Sequence, residues 1–503
     1  MKALRIVLMV LVALAAGALA SSHAQMPLPI LFTLEHPSLE AHTGFGGAAA
    51  IGDTNGDGKA DIAVGASGEE VGGNEYQGRA YVFSSADGSL LLTLDTPNPQ
   101  EGAYFSWEAV AVGDVNGDGK ADIAVGAMGE DVSANEDQGR AYVFSGLDGS
   151  LLCTLDTPNP QEYAHFGYAV AVGDVDDNGK ADIAVGAYGY AVGGSQLQGR
   201  VYVFSGLDCS LLCTLDTPNP QTQSYLGVSV AVGEVDGDGK GDIAVGAMGE
   251  EVDGNEHAGR TYVFSGADCS LGACSVLHTL ESANPQAPAW FGESVAVGDA
   301  NGDDKADIAV GTRKEDVDGT DSQGRVYVFS GLNGSLLFTL DKPYPPQAGV
   351  WFGCSVAMGD VDGDDKADVA TYAPHEDVGG NEDQGRAYIF SGADGSPFLT
   401  LDAPNPQACD PYPCRFGQPL ALGDVNDDGK ADIAVSAGAE RVSGDVQGRV
   451  YVFSGAPPVG GIGELPEASN STGRNYIALA GLAAAALVAL GASAWYGRRR
   501  WLG

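Results

Sequence analysis

The sequence predicts an all-β, seven-bladed β-propeller with four-stranded blades, on three observations. An acidic nonapeptide recurs seven times at near-constant spacing. Around each copy stand the same four short runs rich in Val, Ile, Tyr, Phe and Thr, divided by Gly, Asn, Asp and Pro turns, which is the pattern of strands and hairpins. The last unit lacks its fourth run, while an unpartnered copy of that run stands near the front of the chain. Four strands repeated seven times is propeller arithmetic.

Residues 1–24, MKALRIVLMVLVALAAGALASSHA, combine a basic start, an apolar run and small residues at Ala18, Ala20, Ser22 and Ala24, so they are expected to be a signal peptide. Residues 30–35, ILFTLE, match the fourth run of the repeats, such as LLLTLD, and are expected to complete the seventh blade, which also protects a sheet edge. The repeats make residues 28–456 one domain. The copies begin at Asp53, Asp114, Asp174, Glu234, Asp299, Asp360 and Asp424, with spacings of 61, 60, 60, 65, 61 and 64 residues. Each is preceded by a short run, often opened by Phe-Gly, and followed by DIAVGA or a variant, an acidic Gly-rich loop ending in Gly-Arg, and a run such as AYVFSG. No stretch of this region keeps a 3.6-residue period, so helices are not expected.

Residues 457–474 read as a flexible Pro/Gly/Ser linker. Residues 475–497 are uncharged and long enough, at roughly 34 Å, for a transmembrane helix. The basic tail 498–503 is then expected in the cytoplasm and the propeller outside, at the cell surface. Hydrophobic residues make up 44% of the chain, enough for cores between blades, and 68 Asp plus Glu against 25 Lys plus Arg give a net charge of −43. That balance excludes nucleic acid as a partner, since neutralising phosphates takes basic patches. Of eight cysteines, Cys269 with Cys274 and Cys409 with Cys414 enclose enlarged loops and are expected to form local disulfides in an exported protein. No His stands at zinc-ligand spacing beside either pair. Cys153, Cys213 and Cys354 fall on strands and read as buried residues.

The acidic turn has the chemistry of a hard-cation site. Side-chain oxygens at positions 1, 3, 5 and 9, with the backbone carbonyl at position 7, converge on an ion such as Ca²⁺, and Gly at position 6 allows the sharp turn. In the first three copies these are Asp53, Asn55, Asp57, Lys59 and Asp61; Asp114, Asn116, Asp118, Lys120 and Asp122; and Asp174, Asp176, Asn178, Lys180 and Asp182. In the fourth and fifth they are Glu234, Asp236, Asp238, Lys240 and Asp242, and Asp299, Asn301, Asp303, Lys305 and Asp307. In the last two they are Asp360, Asp362, Asp364, Lys366 and Asp368, and Asp424, Asn426, Asp428, Lys430 and Asp432. Up to seven calcium ions are expected. Mg²⁺ fits less well because it holds a tight octahedral shell and its waters. Position 12 lacks the Glu of a helix-flanked calcium loop, so these are strand-loop-strand sites. Asn178, Glu234, Asp304 and Asp365 depart from the pattern, so the first, second and seventh loops are expected to bind most tightly.

Phe-Gly units followed by DxDxDGxxD-type loops resemble the FG-GAP repeats of the integrin alpha-subunit β-propeller, as in Phe166-Gly167 with DVDDNGKADIAVGA and Phe291-Gly292 with DANGDDKADIAVGT. The resemblance covers about 430 residues. It implies calcium in hairpins between first and second strands on one face, and partner binding on the opposite face, built from the loops joining strands two to three and four to one. The repeat spacing leaves no room for an inserted ligand-binding domain, and the tail GRRRWLG departs from an integrin tail. The chain is therefore similar to a prokaryotic surface protein sharing the propeller rather than to an integrin subunit.

On the expected partner face, Tyr104, Tyr163, Tyr225, Trp290 and Trp351 precede or adjoin the Phe-Gly motifs and are candidates for stacking on a glycan or anchoring a protein; packing between blades is the plain alternative. The recurring Arg79, Arg140, Arg200, Arg260, Arg325, Arg386 and Arg449 are expected to form a structural salt bridge in each blade. The acidic loops GEEVGGNEYQGR and GEDVSANEDQGR read as a solvated rim or an attractor of basic partners. No unit carries unusual polar residues and no catalytic motif occurs, so near-identical blades speak against an enzyme. The expected function is calcium-dependent adhesion or recognition without catalysis. A calcium-stabilised structural envelope protein is the alternative, and a glycan-acting propeller enzyme the third.

Overall fold

The computed structural model describes residues 28–455, apart from 39, 270–273, 408–415 and 443. Seven four-stranded antiparallel sheets form the blades. Blade 1 comprises Phe45–Gly52, Asp61–Ala66, Arg79–Phe83 and Leu90–Leu94, and the next five repeat that order. The second strand is buried at all six positions in every blade. A central strand covered on both faces by neighbouring blades gains nothing from a polar side, which is why DIAVGA shows no alternation.

The core lies between blades, where a large face meets a small one. Ile62, Val64, Tyr81 and Phe83 of blade 1 pack toward Ala434, Val450 and Val452 of blade 7. On the reverse side, Ala63, Ala80 and Val82 receive Phe105, Ile123, Val125 and Tyr142 of blade 2. Burying such side chains contributes about 1.5–3 kcal/mol each, so the blades are held to one another mainly by apolar area.

The ring closes as expected from the chain ends. Ile30–Glu35 pairs antiparallel with Arg449–Phe453, placing Thr33 opposite Tyr451, and completes blade 7. A cyclic set of backbone hydrogen bonds joins the acidic turns: the position-8 N–H of each blade donates to the position-1 carbonyl of the blade before it. Ala121 donates to Asp53 at 2.7 Å and Ala181 to Asp114 at 2.8 Å; the last link, Ala60 to Asp424 at 3.3 Å, joins blade 1 to blade 7.

The cysteines depart from expectation. Cys269 bonds to Cys213 rather than to Cys274, and Cys153 bonds to Cys209. In both pairs a fourth-strand cysteine meets the turn between strands three and four of the next blade. There the Cα atoms lie 6.0 and 5.2 Å apart, within disulfide reach. Cys153 and Cys213 are thus staples between blades and not plain core residues. Cys274 keeps its thiol, 2.8 Å from the Cys269 sulfur. One helical turn, Gly266–Cys269, forms where none was expected, in the enlarged loop of blade 4.

The expected Cys409–Cys414 bridge, the signal peptide, the linker, the membrane span and the basic tail lie outside the described residues. Among the described residues no helix is long and apolar enough to cross a membrane.

Candidate cation loops and the opposite face

Each acidic turn links the first two strands of its blade, and its geometry follows from its own side chains. Asp114 Oδ1 accepts from the N–H groups of Gly117 and Asp118, and Oδ2 from Gly119. The position-5 side chain caps the turn by accepting the position-7 N–H, as Asp57 does from Lys59 at 3.0 Å and Asp118 from Lys120 at 3.0 Å. Asp304 and Asp365, which replace the position-6 glycine, keep the turn by adopting the left-handed backbone themselves, at φ of 63° and 65°.

The position-9 carboxylate opens the second strand and is fully buried in every blade. Asp122 accepts from the backbone N–H groups of Val115, Asn116 and Gly146. Burial nevertheless dominates and raises these carboxyls: Asp182, Asp242, Asp307 and Asp432 to about 6, Asp368 to about 7, and Asp61 and Asp122 in the same direction.

Position 3 divides the loops into two kinds. Where it is Asn, the amide donates to the buried carboxylate: Asn55 to Asp61 at 3.0 Å, Asn116 to Asp122 at 3.0 Å, Asn301 to Asp307 at 2.9 Å and Asn426 to Asp432 at 3.0 Å. Where it is Asp, three carboxylates converge with ligand oxygens within 4.8 Å of one another: Asp174, Asp176 and Asp182; Glu234, Asp236 and Asp242; Asp360, Asp362 and Asp368. Asp176 Oδ1 is buried without a hydrogen-bond partner. Like charges this close and this dry call for a proton or a cation, and hard oxygen donors fit Ca²⁺. The position-7 lysines reach across the neighbouring turn: Lys180 Nζ donates to the Asn116 carbonyl at 2.8 Å, and Lys430 Nζ to that of Asp362 at 3.0 Å.

The loops between strands two and three and between four and one meet at the other end of the blades. Their acidic residues are not simply a solvated rim. The first Glu of each loop is buried and held by the recurring arginine and a tyrosine: Glu130 accepts from Arg140 Nη1 at 2.9 Å and from the Tyr142 hydroxyl at 2.7 Å, while Arg140 Nε reaches Asp156 at 2.7 Å. The expected salt bridge in each blade is present. In blade 3, Tyr190 replaces the Glu, and Arg200 lies 5.1 Å from its ring centroid and pairs with Asp216.

The predicted aromatics stand on this face in four settings. Tyr104 lies 5.8 Å from Tyr76 and 5.7 Å from Trp107. Tyr163 is exposed and donates to Glu136. Tyr225 and Trp290 share a cavity of about 390 Å³ with Tyr168, Tyr188 and His257. Trp290 and Trp351 both face Arg313, whose guanidinium carbon is 4.5 and 4.9 Å from their rings, and Lys314 Nζ lies 3.6 Å from the Trp290 ring. Arg313 also pairs with Glu293 at 2.9 Å. Blade 5 therefore does carry unusual polar residues, contrary to expectation.

Sequence reasoning overlooked Glu293, Arg313, Lys314, Trp107 and Glu108. Their signal is variation between repeats: the residue after Phe-Gly is Gly47, Tyr168, Glu293, Cys354 or Gln418 in different units, in a chain whose strands barely change.

The chain belongs to the FG-GAP repeat family, whose model matches residues 45–83, 106–144, 166–204, 226–264, 291–329, 352–390 and 416–453. It is 29% identical to human integrin alpha-IIb over 351 residues, 62% of this chain and 30% of that protein. It is 35% identical to Drosophila melanogaster integrin alpha-PS2 over 189 residues, 36% of this chain and 13% of that protein. Xenopus laevis integrin alpha-5 is 29% identical over 242 residues, 45% and 22% of the two chains. The matches thus span less than a third of these relatives' length.

Proposed function

We propose that this protein is a calcium-loaded, non-catalytic recognition module of the cell surface that binds a protein or glycan on the face opposite its acidic turns. The observation that carries this reading is where the repeats differ. Strands and turns are near copies from blade to blade, while the opposite face presents Tyr104, Trp107, Tyr225, Trp290 and Trp351 in different settings. A purely structural ring needs no such asymmetry. The likeness to integrin alpha chains supports the same reading, as does the expected export and anchoring by residues 1–24 and 475–497.

Calcium would be held by positions 1, 3, 5, 7 and 9 of the turns. The three loops with converging carboxylates, in blades 3, 4 and 6, have the strongest call for it, which reverses the order expected from loop consensus. Its role is to neutralise buried carboxylates and stiffen the turns that chain the blades together. Elemental analysis of the purified full chain should find at least three calcium ions per molecule, lost on EGTA treatment. Each site populated at a hundredfold excess over its dissociation constant adds about 2.7 kcal/mol, so chelation should lower Tm substantially. No bound metal and no shift would end the calcium part of the proposal. A glycan array and a set of extracellular proteins, probed in calcium, test recognition: silence on both leaves a structural envelope role, and turnover of a bound glycan restores the enzyme.

A further inference from the structure

One cavity on the recognition face arises from residues that depart from the repeat. It measures about 420 Å³, within the range of small-ligand sites, and spans blades 7, 1 and 2. Its space comes from missing side chains. After Phe-Gly, blade 1 has Gly47 where other blades carry Tyr168, Val228, Glu293 or Cys354. After the second strand, blades 1 and 7 have Ser67 and Gly438 where others carry Met128, Tyr188 or Arg313.

Its wall comes from an insertion. Blade 2 reads Phe105-Ser106-Trp107-Glu108, one residue longer than its counterparts before the acidic turn. The extra length brings Trp107 to the surface, 39% exposed, beside Tyr76 at 49%. The backbone is strained to do so. Ser106 has φ of 70° where the other six blades have glycine, and Glu108 has φ of 50°. Ser106 Oγ donates to the Arg79 carbonyl at 2.6 Å and accepts the Ala66 N–H at 3.1 Å, which fixes the bulge in place. Strain held this firmly is typical of sites with a task, and a rigid wall lowers the entropy lost on binding.

The polar groups are as specific. Glu108 Oε1 accepts from Gln418 Nε2 at 2.9 Å, bringing a carboxylate of blade 2 and an amide of blade 7 together at the cavity. Side by side they offer the acceptors and donors that adjacent hydroxyl groups need, while Trp107 and Tyr76 offer apolar planes. A carboxylate in the pocket of a chain with net charge −43 repels anions, so acidic sugars, sulfates and phosphates are disfavoured.

We infer that this cavity is a subsite for a neutral saccharide, whose ring stacks on Trp107 and Tyr76 and whose hydroxyls bind Glu108 and Gln418. The inference rests on the recognition reading above and names its ligand class. The test uses the full chain in calcium with neutral gluco-, galacto- and manno-configured disaccharides, read by saturation-transfer NMR and tryptophan fluorescence. At least one sugar should bind. Trp107→Ala should weaken it about tenfold or more, the scale of one aromatic contact. Glu108→Gln should also weaken it, while Tyr344→Ala, at an aromatic that is 91% exposed and outside the cavity, should not. Trp107 is exposed, so its variant should keep the parent Tm. Binding by no sugar in the set, or binding untouched by Trp107→Ala, overturns the subsite. Binding of a basic peptide that both variants abolish would assign the cavity to a cationic protein partner, overturning the saccharide while leaving recognition intact. Failure of every glycan and protein probe would remove the recognition reading itself.

Discussion

Glu293 and Arg313 lie 2.9 Å apart at the ends of the first two strands of blade 5, and two opposing effects meet there. The guanidinium favours the ionised carboxylate, but burial is the larger effect and pushes Glu293 up to about 8. An acid whose folded pKa is raised contributes stability below its unfolded value, near 4.3, that is lost as the pH climbs through about 8. Glu293→Gln should therefore match the parent near pH 4 and be the more stable protein at pH 9, in thermal melts across that range. The reverse, a variant that is weaker at every pH, would show the ion pair to dominate. Glu130 makes the opposite case. It is fully buried and accepts from Arg140, Tyr142, Asn98 and Thr96, so Glu130→Ala strands these donors and should lower unfolding free energy by ~3 kcal/mol in urea titrations.

At the scale of single elements, the acidic turns and the inter-blade staples carry separate predictions. Asn116 already satisfies Asp122 through its amide, whereas Asp176 adds a third carboxylate beside Asp174 and Asp182. Asp176→Asn should remove one calcium ion from the elemental count and raise the stability of the calcium-free protein, because it relieves repulsion among buried charges. Asn116→Asp should do the reverse. Peptide mapping without reductant should recover Cys153 joined to Cys209 and Cys213 joined to Cys269, with Cys274 open to alkylation after unfolding. Each staple closes a loop of 56 residues, and its loss through Cys153→Ser should cost about 2–5 kcal/mol. The strands and the turns were legible in the sequence because both are written in contiguous residues. The pairing of the cysteines was not, because Cys269 and Cys274 are neighbours in the chain while Cys213 reaches Cys269 only when blade 3 lies against blade 4.

For the molecule as a whole, closure is the critical contact. Removing residues 28–35 takes away the strand paired with Arg449–Phe453 and exposes the edge of blade 7. The truncated protein should lose its cooperative melt or aggregate, while truncation within the exposed 3–4 turns should not have this effect. With 43 surplus negative charges, the calcium-free ring should also gain Tm as sodium chloride rises, and this salt dependence should shrink once calcium is bound.

The number of blades, the strand order, the position of every acidic turn and the strand that clasps the ring were all determined by the sequence alone. Each is encoded in a local pattern repeated at a period near 60 residues, and repetition makes a short pattern unmistakable. The cavity behind Trp107 and the cation set on Trp290 depended on the folded ring. They join residues from different blades, such as Glu108 with Gln418 and Glu293 with Trp351 through Arg313, that no period in the chain brings together. Only packing of the blades around a common axis makes them neighbours, and there the identity of one side chain decides whether a space is filled, charged or left open for a ligand.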